Sequence, residues 1–180
     1  MQKALFAAAC VALLAAPAGA QDMTKYDPWT SWNALKEGSS VSFEMETAGM
    51  KMTTNKVLDK KGEEEHVLKT EMVMMAGGQE IKTPGEEKVA KPKAGGADGE
   101  CTLCKKKYSE HKDMGTWSEE TLKIGDKELK CAKYETAAKM CSGQDMPKST
   151  LWYSTEVPGC MVKMETAQMK MTVVKFEAKK

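Results

Sequence analysis

Across 180 residues, 27 basic side chains, all of them lysine, stand against 26 acidic ones, for a formal net charge of +1. Balanced charge without arginine, the side chain suited to bidentate phosphate contacts, argues against nucleic acid as a partner. The length fits a single domain, and no phosphate-binding glycine loop, G-x-S-x-G elbow or H-E-x-x-H helix occurs, so the chain is read as non-enzymatic, with no cofactor assigned.

Residues 1–20 form a signal peptide. Lys3 supplies the positive start, Ala4–Ala16 the apolar run, and Ala18-Gly19-Ala20 the small-residue cleavage site, leaving Gln21 as the new N-terminus. The apolar run is too short to span a bilayer. Cys10 lies within it and leaves with it. The mature chain, 21–180, is expected to be one β-rich domain without a transmembrane span, exported to a periplasmic or extracellular space.

A short helix comes first. Asp27 suits an N-cap and Pro28 the first helical position, Trp29, Trp32 and Leu35 fall on one stripe, and Gly38 stops the helix. The two indoles are expected to cover one end of an apolar sheet face, where they could also stack on a ligand.

Next comes a nine-residue phrase that the chain uses twice. Met45–Thr53 reads METAGMKMT and Met164–Thr172 reads METAQMKMT. A continuous strand would put Met45 and Met50 on opposite faces, because side chains alternate with a period of two. The phase slips at Ala48-Gly49 and Ala167-Gln168 therefore predict two hairpin turns. Met45 then faces Met52, Thr47 faces Met50 and Glu46 faces Lys51; Met164 faces Met171, Thr166 faces Met169 and Glu165 faces Lys170. Val41, Phe43, Met45, Met50 and Met52 share one apolar face, and a favourable opposite-charge pair lies on the other.

A third strand runs from His66 to Met74, with Met72 and Met74 on its more apolar face. Weaker strands, Gln79–Thr83 and Glu86–Lys91, are expected on either side of Pro84-Gly85. About 92–115 reads as a Cys/Lys-rich surface insert. Thr121–Ile124 and Glu128–Glu135 form a hairpin across Gly125-Asp126, Leu151–Val157 alternates as a strand, and Cys160 opens the second METAxMKMT hairpin. The phase slip at Val173-Val174 predicts a bulge. The fold class is thus mainly β: a curved antiparallel meander sheet, open or partly closed as a barrel, with a short N-terminal helix.

The export signal, the N-terminal helix, the meander and the stretch LWYSTEVPG, Leu151–Gly159, resemble periplasmic LolA/LppX-like proteins. The resemblance covers about Tyr26–Lys180 as architecture. It implies an unclosed β-barrel that shelters lipid or lipoprotein acyl chains, and it transfers no individual functional residue.

Two features could carry chemistry. Cys101-x-x-Cys104 precedes three lysines, but no strand and helix place it as a thioredoxin-like site, and Lys105 stands where a covalent haem motif needs histidine. Zinc would need Cys101, Cys104 and His111 with Cys131 or Cys141 as the fourth ligand. Oxidising conditions outside the cytoplasm favour disulfides, for which Cys101, Cys104, Cys131, Cys141 and Cys160 are the candidates; their odd number leaves at least one unpaired. The second feature is methionine, 15 in all. Thioethers suit Cu(I), yet methionine is also an adaptable filler of surfaces that accept varied apolar shapes. The favoured reading is a binding protein for an apolar small molecule, a lipid or an envelope protein, with Phe43, Met45, Met50, Met52, Met72, Met74, Met164, Met169, Met171, Trp29 and Trp32 lining the site. A metal or thiol-redox protein and a structural envelope component are the alternatives.

Overall fold

A computed structural model describes residues 23–92, 105, 115–136, 145 and 147–180. A 3-10 turn, Met23–Tyr26, leads into α1, Pro28–Asn33. Nine strands follow: β1 Ser40–Thr47, β2 Met50–Lys60, β3 Glu65–Ala76, β4 Gln79–Ala90, β5 Gly115–Ile124, β6 Lys127–Thr136, β7 Ser149–Tyr153, β8 Met161–Thr166 and β9 Met169–Glu177. They make one antiparallel sheet in the order β4-β3-β2-β1-β9-β8-β7-β6-β5. Two meanders, β1–β4 and β5–β9, meet where β1 pairs with β9, and among the described residues the sheet ends on two free edges, β4 and β5. It is therefore an open sheet.

The helix starts as its sequence dictates. Asp27 accepts hydrogen bonds from the Thr30 backbone N–H and Thr30 Oγ1, both at 2.7 Å, and Pro28 occupies the first turn. These satisfy donors that a helix N-terminus leaves free. Trp32 and Leu35 drive into the sheet and are buried with Val41, Phe43, Leu58, Leu68, Val162 and Val173.

Both repeated hairpins have the predicted register. Met45 pairs with Met52, Glu46 with Lys51 and Thr47 with Met50; Met164 pairs with Met171 and Glu165 with Lys170. Their turns differ physically. Ala48 and Gly49 both sit at positive φ, 48° and 78°, the geometry of a primed hairpin turn. Neither Ala167 nor Gln168 does. There the Thr166 hydroxyl accepts from the backbone N–H groups of Gln168 and Met169 at 3.2 and 3.0 Å, holding the turn by side-chain bonding instead. Thr47 Oγ1 donates to the Gln168 carbonyl at 3.1 Å, so the two tips are tied together.

Four expectations need correction. The helix ends at Asn33, with Ala34 as its cap, and not at Gly38. The region around Pro84-Gly85 does not split a strand: β4 is continuous over Gln79–Ala90, because it is an edge strand and the missing Pro84 N–H costs no pairing. The Leu151–Val157 alternation ends at Tyr153. The Ser154 N–H then donates to the Cys160 carbonyl and the Cys160 N–H to the Val157 carbonyl, both at 2.8 Å, folding residues 154–160 into a buried turn with Val157 and Pro158 inside. Glu46 forms no ion pair among the described residues; Lys51 leans instead to Glu44 at 3.8 Å. The expected bulge is present, with the register slipping opposite Ser42 and Phe43, so that Val174 is turned out to solvent.

Candidate functional site

Cross-strand partners share a face, so the register can be followed across the sheet. Met74 faces Met52, Met52 faces Met45, Met45 faces Met171, and Met171 faces Met164. Five adjacent strands thus present five thioethers at one level. The row continues through Leu151, Tyr134 and Trp117 on one side and to Ile81 on the other, with no charged residue among its nine members.

This face also receives the N-terminal elements. Trp29 of α1 stacks on His66 of β3, ring centroids 5.0 Å apart and planes within 10°. Tyr26 packs against Trp117 and Tyr153, at 6.4 and 5.5 Å. Burial falls with distance from α1 along β1, β2 and β3. In β3, His66 and Leu68 are buried while Met72 and Met74 are half-buried; in β1, Val41 and Phe43 are buried and Met45 is half-buried. The half near the helix is core, and the half near the hairpin tips remains accessible.

The sequence-predicted residues divide accordingly. Met45, Met52, Met74, Met164 and Met171 form the row. Met72 lies one step toward the core, facing Thr54, and Met50 and Met169 flank Thr47 at the rim, Met50 being 62% exposed. Phe43 and Trp32 are core, at 5% and 2% exposure, and line nothing: each sits at the level where α1 closes on the sheet. Trp29 holds α1 to His66. The aromatic end of the site, made by Tyr26, Trp117, Tyr134 and Tyr153, was not anticipated. Alternation placed Tyr153 and Tyr134 in strands, but no local signal brings those strands level with the methionines.

At that end a cleft of about 640 Å³ is lined by Tyr26, Pro28, Leu151, Tyr153, Met161 and Met164, among others. Ligand sites of this size are typically apolar with a few polar groups. Burial raises the Tyr153 phenol above its ordinary pKa, with Tyr134 adding to the effect, and burial alone raises Tyr134. Both are neutral hydroxyls at physiological pH.

The opposite face is built differently. Trp152 is buried there, its Nε1 donating to Glu120 at 3.0 Å and its ring under the ammonium groups of Lys163 and Lys133, 4.3 and 5.7 Å from the centroid. Register puts Leu122, Ile124, Leu129 and Cys131 on that same side; the last three are buried, and Leu122 is half-buried against them.

Cys131 and Cys160, two of the five disulfide candidates, are buried free thiols. Burial pushes the Cys131 thiol up to about 11 and raises that of Cys160 as well, so neither is a thiolate at neutral pH. Cys101, Cys104, Cys141 and His111 lie outside the described residues. Among the described residues, no group of three or more His, Cys, Asp or Glu side chains is placed to hold a metal ion. No described helix is long and apolar enough to cross a membrane.

No family model matches the sequence, and no curated protein matches it. Solved structures do resemble the fold. The crystal structure of MucB aligns with a TM-score of 0.50 at 9% identity, over 91% of this chain and 60% of that one. The MucA/MucB complex of Pseudomonas aeruginosa gives 0.49 at 9% identity, over 86% and 56%. MucB in complex with MucA(peri) gives 0.47 at 7%, over 86% and 56%. The chain spans about 60% of the MucB chain it matches. At 9% identity the likeness to MucB is one of fold alone, that of an open, mainly β sheet.

Proposed function

We propose that this is an exported, non-enzymatic binding protein that holds an elongated apolar ligand, of the acyl-chain type, across the methionine and aromatic row. The observation that supports it is the row itself: nine uncharged side chains in register on nine strands, half-buried along the methionines and leading into the cleft beside Tyr153 and Met164. With strands about 4.7–4.9 Å apart, the five thioethers alone extend roughly 19 Å, the scale of an extended acyl chain. Methionine suits this role because an unbranched, polarisable side chain adapts to the shape laid on it. A sheet face meant only to be core would be closed along its whole length, as it is at Val41, Leu58 and Leu68.

The test is binding of the fluorescent fatty acid cis-parinaric acid to the mature protein, with Met45→Glu and Met75→Glu compared. Met75 is 65% exposed and faces Glu80, on the other side of the sheet. Loss of binding in Met45→Glu with retention in Met75→Glu is expected. Equal binding by both variants would remove the row as the site.

A further inference from the structure

We infer that the centre of the row, Met52, Met45 and Met171, with Met74 and Met164 flanking it, is a binding site for a soft monovalent cation, Cu(I). The sequence contains two separated methionine sets, and it is the β1–β9 pairing that fuses them into one uninterrupted run, which β3 extends.

Three observations carry this. Directly opposed residues hold their Cβ atoms about 4.5–5.5 Å apart, within reach of a common point for side chains with three rotatable bonds. The donors are of one kind: no histidine, cysteine or carboxylate belongs to the row, so zinc and the hard divalent ions find none of their ligands, whereas thioethers select Cu(I). The same face also separates its residue types by burial. Its closed half uses Val41, Phe43, Leu58, Leu68 and Val173, branched and aromatic side chains, and methionine is concentrated on the accessible half. Packing alone gives no reason to change residue type at that boundary. The site shares its atoms with the apolar groove but not its chemistry, since one uses dispersion and the other sulfur lone pairs.

The experiment uses mature protein whose accessible thiols have been alkylated in the native state, so that cysteine does not compete for the metal. Cu(I) retention against a Cu(I) chelator is read by native mass spectrometry for the parent protein, the double variant Met45→Leu/Met171→Leu, and Met75→Leu. Leucine roughly conserves volume and removes sulfur. The parent and Met75→Leu are expected to retain Cu(I), and the double variant to lose it while keeping its thermal midpoint. Cu(I) retained equally by the double variant, or not retained by the parent, overturns the assignment. A parent that retains Cu(I) but takes up no fatty acid would sustain the metal site and remove the apolar-ligand reading, so the two failures are distinct.

Discussion

Met52 and Lys51 are neighbours in sequence and opposites in environment. Met52 lies half-buried between Met45 and Met74, while Lys51 is exposed on the other face with Glu44 3.8 Å away. Met52→Glu places an unpaired charge among thioethers, which the row cannot solvate. Lys51→Glu removes a pair of the class worth about 0.2–1 kcal/mol. The thermal midpoint should fall well below that of the parent in the first variant and change little in the second; equal shifts would mean that the faces are misassigned. His66 makes a residue-scale prediction of another kind. It is fully buried against Trp29, and neither ring nitrogen has a hydrogen-bond partner among the described residues. Burial, and then the nearby Lys61, hold its pKa below the ordinary 6.5. Between that lowered value and 6.5 the unfolded chain binds more protons than the folded one, so stability rises with pH through this window and is lost as pH falls through it. Urea midpoints measured from pH 7 down to pH 5 should decline, and the His66→Phe variant should show a flatter profile.

At the scale of elements, the two METAxMKMT hairpins form a natural comparison, the same phrase closed by different turns. Gly49 sits at a φ of 78° with open space where a Cβ would go, so a side chain there meets backbone strain and no clash. Gly49→Gln, which copies the second turn into the first, should cost on the order of 1–2 kcal/mol, the penalty for placing a residue with a Cβ in left-handed backbone. Thr166→Val at the other hairpin removes the hydroxyl that accepts from two backbone N–H groups, and it should destabilise that turn while leaving the first untouched. Amide exchange at Met50 and Met169 separates the two effects. The helix is the other element held by few contacts. Asp27→Ala deletes both bonds to Thr30 and should cost about 1 kcal/mol. Trp32→Ala should cost about 3–5 kcal/mol, because the indole is core. A larger loss from Asp27→Ala than from Trp32→Ala, read as thermal midpoints, would contradict this packing.

Over the whole molecule, the thiol count is the sharpest expectation. Among the described residues Cys131 and Cys160 are free, so a chain cleaved after Ala20 keeps Cys101, Cys104 and Cys141 besides, and three cysteines hold at most one intramolecular disulfide. In exported protein, alkylation under denaturing, non-reducing conditions should label three cysteines. Without denaturant Cys131 and Cys160 should stay unlabelled, because their sulfurs are buried and protonated. A single label would mean that the two buried thiols had found partners, against the structure.

The sequence by itself determined whatever depends on neighbours along the chain. Period-two alternation set which side chains share a face within a hairpin, the phase slip at Ala48-Gly49 located a turn, the slip at Val173-Val174 located a bulge, and Asp27-Pro28 located the start of the helix. Each is local: a backbone dihedral or one hydrogen bond within a few residues. Even there, Leu151–Val157 misled, since alternation persists into a segment whose backbone bonds close a turn instead. Tertiary structure alone decided which strands stand side by side. Nothing near Met45 in the chain specifies Met171 as its partner, because the β1–β9 contact closes a loop of more than a hundred residues and is chosen by the burial it completes at Val41, Phe43 and Val173. That pairing turns two methionine hairpins into one row, sets Tyr134 and Trp117 at its end, and leaves the half of the face beyond the reach of α1 accessible.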